Sequence, residues 1–213
     1  TTNIVITGNP AAGFGVIELN GADNVTIDGS FNGTASRDLT INNTSTTTNL
    51  ANSCIRVATS AAAISADNIT IKNCILNGNV TSGNASGITN TNTSSNVSFG
   101  IYVGGNGGTT AIAAPTALPV DGTFATAPIG ATINSLLVQN NLINQCGRGI
   151  MFNGADFSIS DDVTITGNII GSATALVFPY ATPVTTVFSK GISVSGTNSV
   201  TISNNTIRDI LSY

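Results

Sequence analysis

The chain has 213 residues, a net charge of −4, no histidine and no tryptophan, and only 8% charged residues, against roughly 25% in ordinary globular domains. Its six Lys and Arg are scattered, which argues against a basic nucleic-acid footprint, and no apolar run approaches membrane-spanning length. With 41% hydrophobic residues placed periodically, the composition is not that of a disordered segment.

In chain order, Thr1–Gly8 contains Ile4-Val5-Ile6 and reads as the last strand of a truncated coil. No signal peptide is visible, so the sequence is expected to begin inside a repeat array. Two short motifs then alternate. The first to appear is Gly15-Val-Ile-Glu-Leu19, repeated as Cys54-Ile-Arg-Val-Ala58, Gly100-Ile-Tyr-Val-Gly104, Gly149-Ile-Met-Phe-Asn153 and Gly191-Ile-Ser-Val-Ser195. Aligned on Ile17, Ile55, Ile101, Ile150 and Ile192, the copies are 38, 46, 49 and 42 residues apart. The second motif is an apolar-x-apolar triplet running into a polar corner. It appears as Asn24-Val-Thr-Ile-Asp-Gly29, Asn68-Ile-Thr-Ile-Lys-Asn-Cys-Ile75, Ser135-Leu-Leu-Val-Gln-Asn-Asn-Leu-Ile143, Asp162-Val-Thr-Ile-Thr-Gly-Asn-Ile169 and Ser199-Val-Thr-Ile-Ser-Asn-Asn-Thr-Ile207. A further short apolar piece follows each corner, and in the first copy Leu39-Thr-Ile41 serves after a longer one.

A constant order of three short strands, repeated with variable loops, is the signature of a solenoid. One coil cannot bury its inner row alone, whereas stacking the next coil about 4.8 Å above covers the row and pairs the backbone. The fold expected is all-β: a right-handed, single-stranded parallel β-helix with three faces and about five coils. An antiparallel sandwich would instead show two-residue hairpin turns. Residues 1–213 read as one β-helix domain, expected to be part of a longer array, with long insertions at 104–132 and 172–189.

The inward set expected is Ile55, Ile71, Ile101, Val103, Ile150, Ile165, Ile192 and Ile202. Asn and Gly tolerate the left-handed backbone of a sharp corner, and stacked Asn side chains bond along the axis. Asn73, Asn141, Asn168 and Asn205 are therefore assigned a structural role. Asn24, Asn68 and Asn204 also match the Asn-x-Ser/Thr glycosylation pattern, but Asn24 and Asn68 lead straight into strands. Cys54, Cys74 and Cys146 fit no zinc spacing and are read as buried free thiols. No cofactor or metal site is assigned.

The alternation of Gly-Ile-x-Val with Val-Thr-Ile-x-Asn-Asn-x-Ile resembles the repeats of the pectate-lyase-like β-helix superfamily. Leu19-Asn-Gly-Ala-Asp-Asn-Val-Thr-Ile-Asp-Gly29 more narrowly resembles repeat regions of large secreted surface proteins of Bacteroidota, cargo of type IX secretion. The superfamily resemblance implies that a site would lie outside the Gly-Ile-x-Val strand, where Glu18, Arg56, Tyr102, Met151 and Ser193 stand. That row offers one carboxylate. A calcium-dependent lyase needs several, and a glycoside hydrolase needs two at a set separation. Asp161-Asp162 is similar to the paired Asp of polygalacturonases but precedes the wrong strand. Glu18 and Arg56 are expected to pair as exposed ions of little energetic weight. The outer Thr26, Thr70, Thr164 and Thr201 row is broken by Leu137, which argues against a lattice-matching surface.

The function expected is that of an extracellular or cell-surface structural and adhesive segment, a stiff shaft or fibre displaying contact loops. No catalytic residues are assigned. The alternative is a polysaccharide-acting enzyme or carbohydrate-binding module. The contact residues expected are Tyr102, Phe178, Tyr180 and Phe188. Partners expected are other copies of the chain or flanking repeats end to end, and surface glycans or other cells, with no nucleic acid and no membrane span.

Overall fold

The computed structural model describes residues 3–11, 13–45, 51–59, 65–78, 97–105, 133–154, 162–172 and 187–210. Their strands form three parallel sheets. The first contains β1 (Ile4–Gly8), β4 (Leu39–Asn43), β7 (Cys74–Asn77), β10 (Leu142–Asn144), β13 (Ile169–Ile170) and β16 (Thr206–Ile207). The second contains β2 (Gly15–Asn20), β5 (Ala51–Thr59), β8 (Val97–Gly105), β11 (Cys146–Asn153) and β14 (Val187–Ser195). The third contains β3 (Thr26–Asp28), β6 (Thr70–Lys72), β9 (Leu136–Gln139), β12 (Asp162–Thr166) and β15 (Ser199–Ser203). The chain visits the second, third and first sheets in turn, so each coil contributes one strand to every face. This is the three-faced parallel β-helix expected from the repeats.

Register turns the repeat into columns. Ile6, Ile41, Leu76, Ile143, Ile170 and Ile207 stack in the first sheet. Ile17, Ile55, Ile101, Ile150 and Ile192 stack in the second, and Ile27, Ile71, Val138, Ile165 and Ile202 in the third. Side chains alternate faces along a strand. In β12, Val163 and Ile165 are accordingly buried while Thr164 between them is half-exposed. Burying an aliphatic side chain contributes roughly 1.5–3 kcal/mol, which lets so charge-poor a chain build a core.

The expected inward residues Ile55, Ile71, Ile101, Val103, Ile150 and Ile165 are buried in one apolar cluster, with Ile192 packed against it. Ile202 keeps its inward column but is 50% exposed, because β15 ends the third sheet and no described strand lies above it.

Gly-Ile-x-Val is a bend within a long strand. Cys54 and Ile55 are successive residues, yet both belong to the apolar core. A Cβ on Gly149 would stand 2.7 Å from Ile170 Cγ2, and one on Gly191 2.7 Å from Ile207 Cγ2. At these coils only glycine fits between the bend and the first sheet. The second coil accommodates Cys54 instead, whose Sγ donates to the Asn77 carbonyl at 3.3 Å. Strands of the second sheet are longer than the motif indicated. β8 takes in Gly104 and Gly105, and β14 begins at Val187, so the insertions expected at 104–132 and 172–189 are shorter by those strand residues. Apart from these ends, residues 106–132 and 173–186 lie outside the described residues.

Candidate functional site

The row outside the second sheet brings together the most unusual chemistry. Glu18, Arg56, Tyr102, Met151 and Ser193 stand in register on β2, β5, β8, β11 and β14, as the sequence indicated. Because both Cys54 and Ile55 turn inward, residues on either side of the bend share the outer side. Phe99 and Arg148 therefore adjoin the row. The Phe99 and Tyr102 rings meet edge-on, with centroids 5.4 Å apart and planes at 65°. The Arg148 guanidinium lies 5.5 Å above the centre of Phe99, a cation–π arrangement. Phe99, Tyr102 and Met151 are fully buried yet belong to no part of the interior apolar cluster.

This burial corrects two expectations. Tyr102 is 0% exposed, so its ring offers no open contact surface. Glu18 and Arg56 pair at 3.1 Å, but Arg56 is 1% exposed and Glu18 24%, so they are not a solvated surface pair. Glu18 divides its carboxylate: one oxygen accepts from the Gly15 N–H and the other from Arg56. Burial lowers the Arg56 pKa, and the charge of Glu18 works against that. Burial pushes the Tyr102 phenol up to about 12, with Arg56 opposing, so the hydroxyl stays protonated at neutral pH. Among the described residues the buried Arg56 Nε and Tyr102 hydroxyl have no hydrogen-bond partner, nor has the Ser53 Oγ. A buried polar atom without a partner costs roughly 1–3 kcal/mol. The donors of this row are buried rather than presented to a ligand, and Glu18 is the sole carboxylate in it, so the row does not supply the pair of carboxylates that glycoside hydrolysis needs. Phe99 and Arg148 were not singled out from sequence. The signal was present, since a bulky residue precedes Gly100, Gly149 and Gly191, as Phe99, Arg148 and Lys190.

The Asn corner is a ladder. Asn168 Oδ1 accepts from the backbone N–H of Asn141 at 2.9 Å and from its Nδ2 at 3.0 Å. Asn205 Oδ1 does the same for Asn168, at 2.9 Å each. Each Nδ2 also donates to a strand carbonyl: Asn141 to Ile71, Asn168 to Val138 and Asn205 to Ile165. Asn73 is not a rung. It stands one position earlier, in the left-handed row with Asn140, Gly167 and Asn204, where φ is 58°, 51°, 67° and 54°. The rung position of that coil is Cys74, whose N–H donates to Asn141 Oδ1 at 3.0 Å. Cys74 has no amide to extend the ladder, so it stops there.

Asn73 belongs to a second network on the same corner. Its Nδ2 donates to Asp28 Oδ1 at 2.8 Å, and its Oδ1 accepts from Asn140 Nδ2 at 2.7 Å. Asp28 also pairs with Lys72 at 3.1 Å. Burial raises the Asp28 pKa, but donors from Asn73 and Ser30 together with Lys72 outweigh it and hold the carboxyl below the usual range. The long corner of the first coil, with a 3₁₀ turn at Phe31–Gly33, reaches across. Arg37 Nε donates to the Asn140 carbonyl at 2.7 Å, and its Nη2 to Asn140 Oδ1 at 2.6 Å.

Phe178, Tyr180 and Asp161 lie outside the described residues, and Phe188 lies on β14. Asp162 is exposed at the start of β12 and accepts from Ser199 Oγ at 3.0 Å. Asn68 Nδ2 donates to Asn24 Oδ1 at 3.2 Å, which gives these two Asn a bond between coils. Cys54, Cys74 and Cys146 are free and buried, and burial pushes the Cys74 thiol up to about 12. Among the described residues no group of three or more Cys, Asp or Glu could hold a metal, and no helix is long and apolar enough to cross a membrane.

Comparison with protein-family models, with curated proteins and with solved structures gave no match.

Proposed function

We propose that the chain is an extracellular structural and adhesive segment, a stiff β-solenoid shaft that displays loops at a cell surface. The observation that supports this most is the repetition of one cross-section. Six described strands on one face and five on each of the others repeat this cross-section from β1 to β16, with one register shift, between Cys146 and Arg148 of β11 against β14. A rod of this kind, held coil to coil by backbone bonds on three faces and by an internal Asn ladder, suits spacing and display. The resemblance of Leu19–Gly29 to repeats of Bacteroidota surface proteins supports the same placement, with type IX secretion as the export route. Surface glycans or other cells are the targets this reading assigns to the loops.

A second reading, a carbohydrate-binding module or polysaccharide-acting enzyme, follows from the superfamily resemblance, which implies a site outside the second sheet, where Arg56 and Tyr102 stand side by side. One experiment separates the two. The purified chain is incubated with neutral and acidic polysaccharides, with and without calcium, and both binding and new chain ends are measured. The shaft reading expects no turnover under any condition. Turnover, or saturable binding lost in Tyr102→Phe and Arg56→Met, would replace it with the second reading.

A further inference from the structure

Two of the three buried thiols share one corner of the core. Cys54 on β5 and Cys146 at the start of β11 are both 0% exposed and belong to the interior apolar cluster. Each departs from its column. The position of Cys54 is glycine in the next two coils, where a Cβ on Gly100 would stand 2.3 Å from Ile143 Cγ2 and one on Gly149 2.7 Å from Ile170 Cγ2. The register neighbour of Cys146 on β14 is Val187.

The fold brings the two sulfurs to adjacent layers. Cys54 Sγ donates to the Asn77 carbonyl at 3.3 Å, and Cys146 Sγ to the Asn144 carbonyl at 3.2 Å. Asn77 and Asn144 are register neighbours on β7 and β10, so their carbonyls are about 4.8 Å apart, one layer. The N–H of Gly78 donates to the same Asn144 carbonyl at 3.0 Å, and a Cβ on Gly78 would stand 3.0 Å from Cys146 Cα. A glycine after Asn77 thus lets Cys146 approach the segment that holds Cys54. A hydrogen bond with the Cys146 thiol is the first cause that raises the Cys54 pKa, ahead of burial. Cys74 takes no part: its Sγ donates to the Lys72 carbonyl at 3.2 Å, at the corner between β6 and β7.

We propose that Cys54 and Cys146 are a disulfide pair, closed in an oxidising compartment, that cross-links the second coil to the start of the fourth. Sealed thiols are inert, so closure takes place during folding, when both thiols still have an ordinary pKa of about 8.5. The oxidant is a small-molecule disulfide such as oxidised glutathione. The Cys146 thiolate attacks one of its sulfurs, breaks the S–S bond and releases one thiolate. The Cys54 thiolate then attacks the Cys146 sulfur of the mixed disulfide, which forms the Cys54–Cys146 bond and releases the second thiolate. The chain loses two protons and two electrons, and the oxidant takes up both as it becomes two thiols. The two cysteines are 92 residues apart with the third coil between them, so the bond restricts the unfolded chain strongly. In a shaft, it keeps the second coil joined to the fourth even when the backbone bonds of the third open.

The proposal takes its oxidising setting from the extracellular reading. The two fail separately, because pairing is read by thiol labelling and peptide mass, and the shaft reading by polysaccharide binding and turnover. The unaltered 213-residue chain is refolded from denaturant with reduced and oxidised glutathione, alkylated in denaturant and digested. Cys74 alone is expected to take the label, with Cys54 and Cys146 recovered in one linked pair of peptides. Cys74→Ser should keep that link, and Cys54→Ser and Cys146→Ser should each lose it. The oxidised chain should melt at least about 5 °C above the same chain reduced. Label on all three cysteines after oxidative refolding, a link that includes Cys74, or an oxidised chain that melts no higher than the reduced one each overturns the proposal.

Discussion

The fourth and fifth coils carry nearly the same sequence, Asp162-Val-Thr-Ile-Thr-Gly-Asn-Ile169 against Ser199-Val-Thr-Ile-Ser-Asn-Asn-Thr-Ile207, and differ in what lies above them. Ile165 is closed in between Val138 and Ile202 and is 0% exposed, whereas Ile202 has a neighbour on one side and is 50% exposed. Asn168 accepts from Asn141 on one side and donates to Asn205 on the other, while Asn205 has a described rung on one side only. The same residue in the same column is thus worth different amounts. In a solenoid, stability resides in the interfaces between coils as much as in the coils.

The largest expected effect follows directly. Ile165→Asp puts an unpaired charge between two apolar layers and should cost at least about 4 kcal/mol. Ile202→Asp, with water on one side, should cost under about 1.5 kcal/mol. Thermal unfolding of the two variants side by side checks this, and equal losses would mean that the end layer is not open.

Next comes the ladder. Asn168→Ala strips the Asn141 N–H and Nδ2 of their acceptor and leaves the Val138 carbonyl without its donor, an expected loss of about 2–4 kcal/mol. Asn205→Ala removes the equivalent three bonds, but they are only part-buried, so water replaces some of them and the loss should be roughly half as large. Urea titration of both gives the ratio, and a ratio near one would remove the distinction between middle and end.

The outer rows sharpen the contrast between faces. Arg56→Met deletes half of a pair whose Glu18 partner still reaches water, so the cost should be about 1–2 kcal/mol, below the 3–5 kcal/mol of fully enclosed pairs. Thr164→Asp on the third sheet should stay within about 0.5 kcal/mol. Chemical denaturation distinguishes them, and a Thr164→Asp loss larger than that of Arg56→Met would reverse the assignment of covered and open faces.

The smallest effect is electrostatic. Asp28 has a native pKa below its ordinary value of about 3.9, so it binds fewer protons folded than unfolded near that pH. Its contribution is complete above about pH 4 and fades as pH falls further. Stability measured from about pH 6 to 2 should therefore fall less steeply in Asp28→Asn than in the unaltered chain. Parallel curves would show that the carboxyl is not held by Asn73, Ser30 and Lys72.

The fold was readable because its information is local. Apolar-x-apolar triplets set the inward rows, and Asn-Asn or Gly-Asn set the corners, both within about nine residues. The burial of the row outside the second sheet was not readable. Glu18, Arg56 and Tyr102 were placed in the right row, but alternation along a strand tells which side a residue takes and not how deeply it is buried. The bend that brings Phe99 beside Tyr102 was hidden by reading Gly100-Ile101 as ordinary alternation, when Cys54 and Ile55 both turn inward. Asn73 was assigned to the structural corner with Asn141, Asn168 and Asn205, and it stands there one position before the rung, bonded to Asp28 and Asn140. The Arg37 contact spans 103 residues, and no local pattern announces it.

That contact changes how the rod comes apart. Arg37 belongs to the first coil and grips Asn140 of the third, while Asn140 in turn holds Asn73 of the second and returns a bond to Ala35. A stack in which each coil touches only its neighbours can peel layer by layer. Here the first three layers share a rivet, and none of them is released singly while it holds. Amide exchange in that half should follow one opening event common to three coils, whereas the fourth and fifth coils exchange at their own separate rates. Under a pull along the axis the rod yields first at the fourth and fifth coils, and the riveted block stays whole until Arg37 lets go.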